Sequence, residues 1–141
     1  MGFLEELPGR ARAVGGHVVL VEGDDPRIVE AAGVLRQEQV AKVTILCPAA
    51  KQGADHERLR SRGVTVIDPA GDPRRQKLFD LLHARRAPKG WTKEQTDTAL
   101  TDPLYFASLL VACGECDASV GGAVRTTAET VRAALHAIGP A

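Results

Sequence analysis

The stretch from Asp117 to Ile138, DASVGGAVRTTAETVRAALHAI, carries the residues best placed to do chemistry. Gly121 and Gly122 allow a sharp turn and a close approach of backbone to a ligand, because neither has a Cβ. Thr126 followed by Glu129 has the T-x-x-E spacing of a capping box, which predicts a helix starting near Thr126. The first turn of such a helix presents unpaired N–H groups and a partial positive charge, a seat for an anion such as phosphate. Arg132 falls one turn above Ala128 on the same face. Its side chain leans toward the helix N-terminus, so the guanidinium is expected to reach back over the small alanine to the anion. The helix end alone favours a negative group by roughly 0.3–1 kcal/mol. Each charged hydrogen bond from an arginine adds about 1.5–3 kcal/mol. The plainer alternative is an ordinary capped helix in which Arg132 pairs with Glu129, three residues earlier. On either reading Val131, Ala134, Leu135 and Ile138 recur at helical spacing and are expected to face a core.

A second basic group lies in Arg85-Arg86-Ala87-Pro88-Lys89-Gly90, where Pro88 stops a helix. Arg86 and Lys89 there, and Arg132 in the later helix, sit where the chain passes between elements near strand ends. The expectation is that they converge on one phosphate or phosphorylated ligand. The alternative for this turn is a solvated basic loop. Cys113-Gly-Glu-Cys116 has the C-x-x-C spacing of redox and zinc sites. A zinc site needs two more ligands, and His17, His56, His83 and His136 are scattered. A thioredoxin-like motif opens a helix after a strand, whereas this one closes a helix before a strand. A redox reading would require a reversible Cys113–Cys116 disulfide. Cys47 lies within an apolar strand and is expected to be buried and inert.

The totals narrow the class. With 141 residues, 44% of them hydrophobic and 26% charged, the chain can form one domain with a real core. Eighteen basic and eighteen acidic side chains cancel, so net charge points to neither nucleic acid nor an anionic membrane as partner. No apolar run approaches the ~20 residues that span a bilayer. The start lacks a basic segment followed by an apolar stretch, so a cytoplasmic location is expected.

The elements that must position these residues alternate. Phe3–Val14 reads as a short helix weakened or broken at Pro8-Gly9. His17–Val21 is a β-branched strand, followed by Asp24-Asp25-Pro26, which caps and starts a helix with Ile28, Val29, Ala32 and Leu35 on one side. Strands are expected at Lys42–Cys47 and Val64–Ile67, with a short helix around Glu57–Arg60 between them. A charged helix over Asp72–Arg86, a helix capped by Thr92, and a largely buried helix from Asp102-Pro103 to Gly114 follow. Continuous apolar strands separated by helices predict an α/β fold with three α/β/α layers and a mainly parallel sheet. Ligands are then expected at the carboxyl ends of its strands.

Several ordered blocks together resemble the phosphate acetyl/butyryltransferase family. HVVLVEGDDPRIVEAA looks like that family's opening strand and helix, with a pattern close to R-I-V-L-P-E-G-x-D-P-R. RRAPKGWT is similar to its basic turn. DPLYFASLLVACGECDASVGGAVRTTAETVRAALHAIG follows its most recognisable block almost throughout. The resemblance runs from about Phe3 to Gly139 and is loosest around the third strand. It implies an isocitrate/isopropylmalate dehydrogenase-like fold, of which this chain is the N-terminal half. It also implies transfer of an acetyl group between coenzyme A and phosphate, with acetyl phosphate as product, coenzyme A as a substrate and no metal. At matching positions, Arg86 and Arg132 are implied to hold substrate, with Thr126, Thr127 and Thr130 beside the phosphoryl group.

The departures are as informative. Val21 stands where the family usually has proline, and Cys113 and Cys116 replace apolar or small residues. The chain is about half the family's length. The family's thiol base, a serine–arginine pair and much of its coenzyme A surface lie beyond Ala141, so no catalytic residue is assigned here. Residues 1–141 are therefore expected to form a single domain lacking its second, as a truncated chain or one half of a split enzyme. A second-domain chain or a second copy is the expected partner, and the outer face of the last helix is expected to expose apolar surface to it. The alternative is a non-catalytic phosphate-binding or interaction domain of the same descent.

Overall fold

The computed structural model of the chain describes residues 2–139. Four parallel strands form one sheet: β1 (His17–Leu20), β2 (Lys42–Leu46), β3 (Thr65–Ile67) and β4 (Ala118–Val120), in the order β3-β2-β1-β4. The register pairs His17 with Lys42, Thr44 with Thr65 and Val18 with Ala118. Among the described residues seven α-helices surround it: α1 (Phe3–Val14), α2 (Pro26–Gln37), α3 (Ala54–Ser61), α4 (Arg75–Arg86), α5 (Lys93–Leu100), α6 (Pro103–Ala112) and α7 (Thr127–Ala137).

Alternation along β1 divides the core in two. Leu20 joins Val43, Ile45, Leu59 and Ala32 under α2 and α3 on one face. Val19 and Val21 join Leu46, Leu78, Leu82, Phe106 and Leu110 under α4, α5 and α6 on the other. The three α/β/α layers and the parallel sheet are as the sequence pattern predicts, since strands buried on both faces must be apolar throughout. The chain winds from β1 to β2 to β3 in one direction, then crosses back to place β4 on the far side of β1. β1 and β4 therefore flank the point where the winding reverses. In such sheets that is where a crevice opens at the strand ends.

Local signals account for the helix starts. Asp25 caps α2 by accepting from Arg27 N at 2.8 Å, Asp102 caps α6 by accepting from Leu104 N at 3.0 Å, and proline occupies the first position of both helices. Thr92 and Gln95 form a reciprocal capping box on α5. α1 differs from expectation: it continues unbroken through Pro8. None of its residues is buried, so water can take the Leu4 carbonyl that Pro8 leaves without a donor.

In the turn after β1, Gly23 has less room for a side chain than any other described glycine. Gly23 N donates to Leu46 O at 2.9 Å, and a Cβ on Gly23 would lie 2.2 Å from that same oxygen. No side chain fits without separating β1 from β2. Replacement of Gly23 by alanine is expected to cost about 3 kcal/mol, at the upper end of overpacking effects, read as a lowered urea midpoint in equilibrium unfolding.

Candidate functional site

The glycine turn after β4 does not hold itself open for a ligand. The Glu22 carboxylate, at the end of β1, accepts from the backbone N–H groups of Gly122 at 2.7 Å, Ala123 at 2.8 Å, Val124 and Arg125 at 2.9 Å. Successive N–H groups turned to one point form an anion nest, and the chain's own carboxylate fills this one. Glu22 is only 7% exposed. Burial acts to raise its pKa, but the four backbone bonds together outweigh this and hold it below the ordinary glutamate range. Gly122, with φ of 100°, supplies the left-handed residue the turn needs. Arg27, paired with Asp25, also donates to Ala123 O at 3.0 Å, so both ends of this loop are tied to the β1–α2 turn.

α7 starts as predicted, with Thr126 Oγ1 accepting from Glu129 N at 3.1 Å. The other half of the expected box is missing, because the Glu129 carboxylate turns to Arg125. Arg125 also grips Asp102 with two bonds of 2.8 Å, joining the entry of α7 to the cap of α6. Asp102 foremost, with Glu129, keeps Arg125 more firmly protonated than usual. Glu129 is thus taken by Arg125, and the pairing of Arg132 with Glu129 does not occur. Thr130 Oγ1 donates to Thr126 O at 2.9 Å, so the hydroxyls of Thr126 and Thr130 both serve the helix's own first turn. Thr127 is exposed.

The apolar stripe of α7 is oriented opposite to expectation. Val131, Leu135 and Ile138 are 50%, 48% and 42% exposed, while Ala133 and Ala137 are buried against the core. Two alanines let α7 lie close against α6 and α4, and a branched side chain on that face would force the helices apart. At about 100° per residue, Arg132 and His136 fall between the outer apolar stripe and the inner alanine face.

Arg86 and Arg132 both act electrostatically on one aromatic cluster. Tyr105 Oη, from α6, lies 2.7 Å from His136 Nδ1 on α7. Trp91 presents its ring edgewise to His136 at 5.3 Å, and the Arg86 guanidinium lies 5.1 Å from the centre of the Trp91 ring. The Nε of Arg86 is buried without a hydrogen-bond partner. Burial lowers the basicity of His136, and both Arg86 and Arg132 lower it further. The same two guanidiniums act on Tyr105, whose phenol is raised by burial and by Asp102 against their pull. Among the described residues neither Arg86 nor Arg132 forms an ion pair. At the carboxyl ends of the strands, by contrast, Lys51 pairs with Asp24 and Arg125 with Asp102, so the cations there are already neutralised. Unspent positive charge lies at the Trp91–Tyr105–His136 cluster.

The cysteines carry no such arrangement. Cys47, Cys113 and Cys116 are free thiols, and burial first, then Glu115, pushes Cys116 up to about 11. A buried thiol that resists ionisation is a poor redox centre. Among the described residues no three His, Cys, Asp or Glu side chains come together as a metal site, and no helix is long and apolar enough to cross a membrane.

Sequence comparison decides the descent. The family model for phosphate acetyl/butaryl transferase matches residues 2–141. The chain belongs to this family. It is 41% identical over 138 residues to the phosphate acetyltransferase of Paracoccus denitrificans, covering 98% of this chain and 40% of that protein. It is 39% identical over 139 residues to the phosphate acetyltransferase of Deinococcus radiodurans, covering 96% and 20% respectively. Among solved structures, the EutD phosphotransacetylase from Staphylococcus aureus superposes with a TM-score of 0.81 at 26% identity, over 99% of this chain and 44% of that one. A phosphotransacetylase from Streptococcus pyogenes gives 0.80 at 31% identity, over 97% and 43%. The chain thus spans between a fifth and somewhat over two fifths of the length of these family members. Its fold is that of part of a phosphotransacetylase.

Two functional contacts escaped the sequence reading, the Glu22 nest and the Arg125–Asp102 fork. The signal for the first was present: an acidic residue directly after a strand of four apolar residues must find donors if the strand is buried. The nest also fixes its acid dependence. Because folding lowers the Glu22 pKa, its contribution to stability is complete above the unfolded glutamate value of about 4.3 and is lost as pH falls through the folded value. Glu22→Gln is expected to cost about 2–3 kcal/mol at neutral pH, since an amide cannot accept from all four donors. Urea unfolding at neutral and acidic pH should show the wild-type advantage shrinking on acidification.

Proposed function

We propose that this chain is the phosphate-holding part of a phosphate acetyltransferase, acting in acetyl-CoA + phosphate ⇌ acetyl phosphate + CoA. The observation that supports the reading is that two guanidiniums without an ion-pair partner, Arg86 and Arg132, both act on one cluster, Trp91–Tyr105–His136, beside the last turn of α7. In the direction of acetyl phosphate synthesis, a phosphate oxygen attacks the thioester carbon and the thiolate of coenzyme A departs. In reverse, the thiolate attacks the acetyl carbon and phosphate leaves. In both, the two arginines neutralise the phosphate dianion, orient the oxygen that makes or breaks the acyl bond, and stabilise charge that grows on it. Thr126, Thr127 and Thr130 lie at the other end of α7, the hydroxyls of Thr126 and Thr130 engaged in its first turn and Thr127 exposed. No thiol base is assigned to this chain, and no step requires a metal.

The outer face of α7 supports a partner that completes the site. Val131, Leu135 and Ile138 continue the exposed apolar surface of Val120 on β4 and Val124 in the following loop. Apolar patches of this kind mark interaction surfaces. The relatives have more than half of their length beyond what this chain spans, and a second domain of that origin is the fitting occupant.

The test is a coupled assay of acetyl phosphate formation from acetyl-CoA, run with the chain alone and with a polypeptide supplying the remainder of a relative's length. Activity is expected in the combined sample. Arg132→Ala and Arg86→Ala should each reduce it about 10²–10³-fold, as for loss of one charge-stabilising donor. Absence of activity in both samples, or full activity in both variants, rejects the enzyme reading. The exposed stripe also predicts that the chain alone self-associates at high concentration. Sedimentation velocity showing a monodisperse monomer there would remove the docking surface from the argument.

A further inference from the structure

His136 is a titratable group at the site that the proposed reaction does not use. His136 lies in the cluster with its Nδ1 bonded to Tyr105 Oη, and its Nε2 makes no hydrogen bond among the described residues. The charged and titratable groups around it are Arg85 and Arg86 from α4, Tyr105 from α6 with Asp102 behind it, and Arg132 from its own helix. Arg85 is already engaged, donating to the carbonyls of Ala137 and Ile138 at the end of α7. Among the described residues no carboxylate pairs with His136, so its surroundings are net positive.

We propose that His136 is a proton-linked member of the anion site, taking up a proton when a dianion settles between Arg86 and Arg132. The inference rests on the phosphate-site reading above and adds a residue and a pH dependence to it. Without an anion, burial and the two guanidiniums lower the basicity of the imidazole. A dianion placed between those guanidiniums reverses the local sign, so the imidazolium becomes favourable and gives the anion a third cation. The Tyr105 bond permits this change. While Nδ1 is bare, the phenol donates to it. Once Nδ1 carries a proton, it donates to the phenol oxygen, and the hydroxyl hydrogen turns elsewhere. The 2.7 Å contact survives both states, so the ring need not move to change its charge. By linkage, what the anion does to the proton the proton does to the anion, and binding strengthens as pH falls below neutrality.

Sulfate is the right probe, because it remains a dianion across the range in which histidine titrates. Trp91 is the chain's one tryptophan and lies against His136, so its emission reports both binding and the histidine charge. The His136 titration midpoint, followed by ring-proton NMR in the unmodified protein, is expected to rise by about one pH unit at saturating sulfate. Correspondingly, sulfate should bind about tenfold more tightly near pH 5.5 than near pH 8, a dependence that His136→Gln flattens while binding near pH 8 persists. If sulfate binds, is lost in Arg86→Ala and Arg132→Ala, and leaves the His136 midpoint where it was, the proton linkage is wrong and the anion site stands. If sulfate fails to bind, or binds equally to both arginine variants, the anion site itself is wrong and the linkage falls with it.

Discussion

Four backbone N–H groups closing on one carboxylate hold this molecule in its shape. Glu22 lies just beyond the end of β1 and reaches across the point where the sheet's winding reverses, into the loop that leads from β4 to α7. A buried charge is tolerable only when its bonds repay the desolvation, and here every donor comes from a loop with no other partner for those groups. The loop is ordered because the carboxylate is there, and the carboxylate stays ionised because the loop is there. α7, its N-cap Thr126 and the edge bearing Arg132 and His136 all take their placement from this contact. Gly23 adds the second constraint, since the chain can turn away from Glu22 only by pressing its backbone onto Leu46 O.

The same contact explains where an anion does not go. At the reversal point of a parallel sheet, the ends of two strands separate and a ligand commonly enters. In this chain that crevice already contains an anion of its own. Nearby cations are spent as well, Lys51 on Asp24 and Arg125 on Asp102 and Glu129. Cations without a carboxylate partner occur further along α7, where Arg86 from α4 and Arg132 both act on His136. Trp91 fixes Arg86 by its ring rather than by a carboxylate, which orients the guanidinium without neutralising it.

The sequence shows much of this, and its failures have physical causes. Strand order aside, the α/β layering follows from apolar strands alternating with helices, and the caps Asp25, Thr92, Asp102 and Thr126 are each legible from residue type and position. Helix periodicity identified the apolar positions of α7 but not the direction they face. Val131, Leu135 and Ile138 form the stronger apolar stripe, yet the core took Ala133 and Ala137, because interhelical distance rewards small side chains as well as apolar ones. Spacing also suggested a glycine turn awaiting a ligand, when the donors were claimed by a residue a hundred positions away. Contacts of that range have no periodic signature. The shared influence of Arg86 and Arg132 on His136 likewise joins residues that no periodic pattern links.

The geometry of α7 joins the two halves of the functional argument. Its three faces carry an alanine strip against the core, an apolar strip facing outward, and between them the edge bearing Arg132 and His136. A second domain covering the outward strip would therefore also wall in that edge. Water around Arg86, Arg132 and His136 would be displaced by the same event that buries Val131, Leu135 and Ile138, and every charge–dianion interaction would strengthen as the local dielectric fell. On the acyl-transfer reading proposed above, an open face would weaken phosphate binding and leave the acyl bond exposed to hydrolysis, and covering it would favour transfer. The apolar strip is on this view part of the chemistry, because it determines when the arginine edge becomes dry.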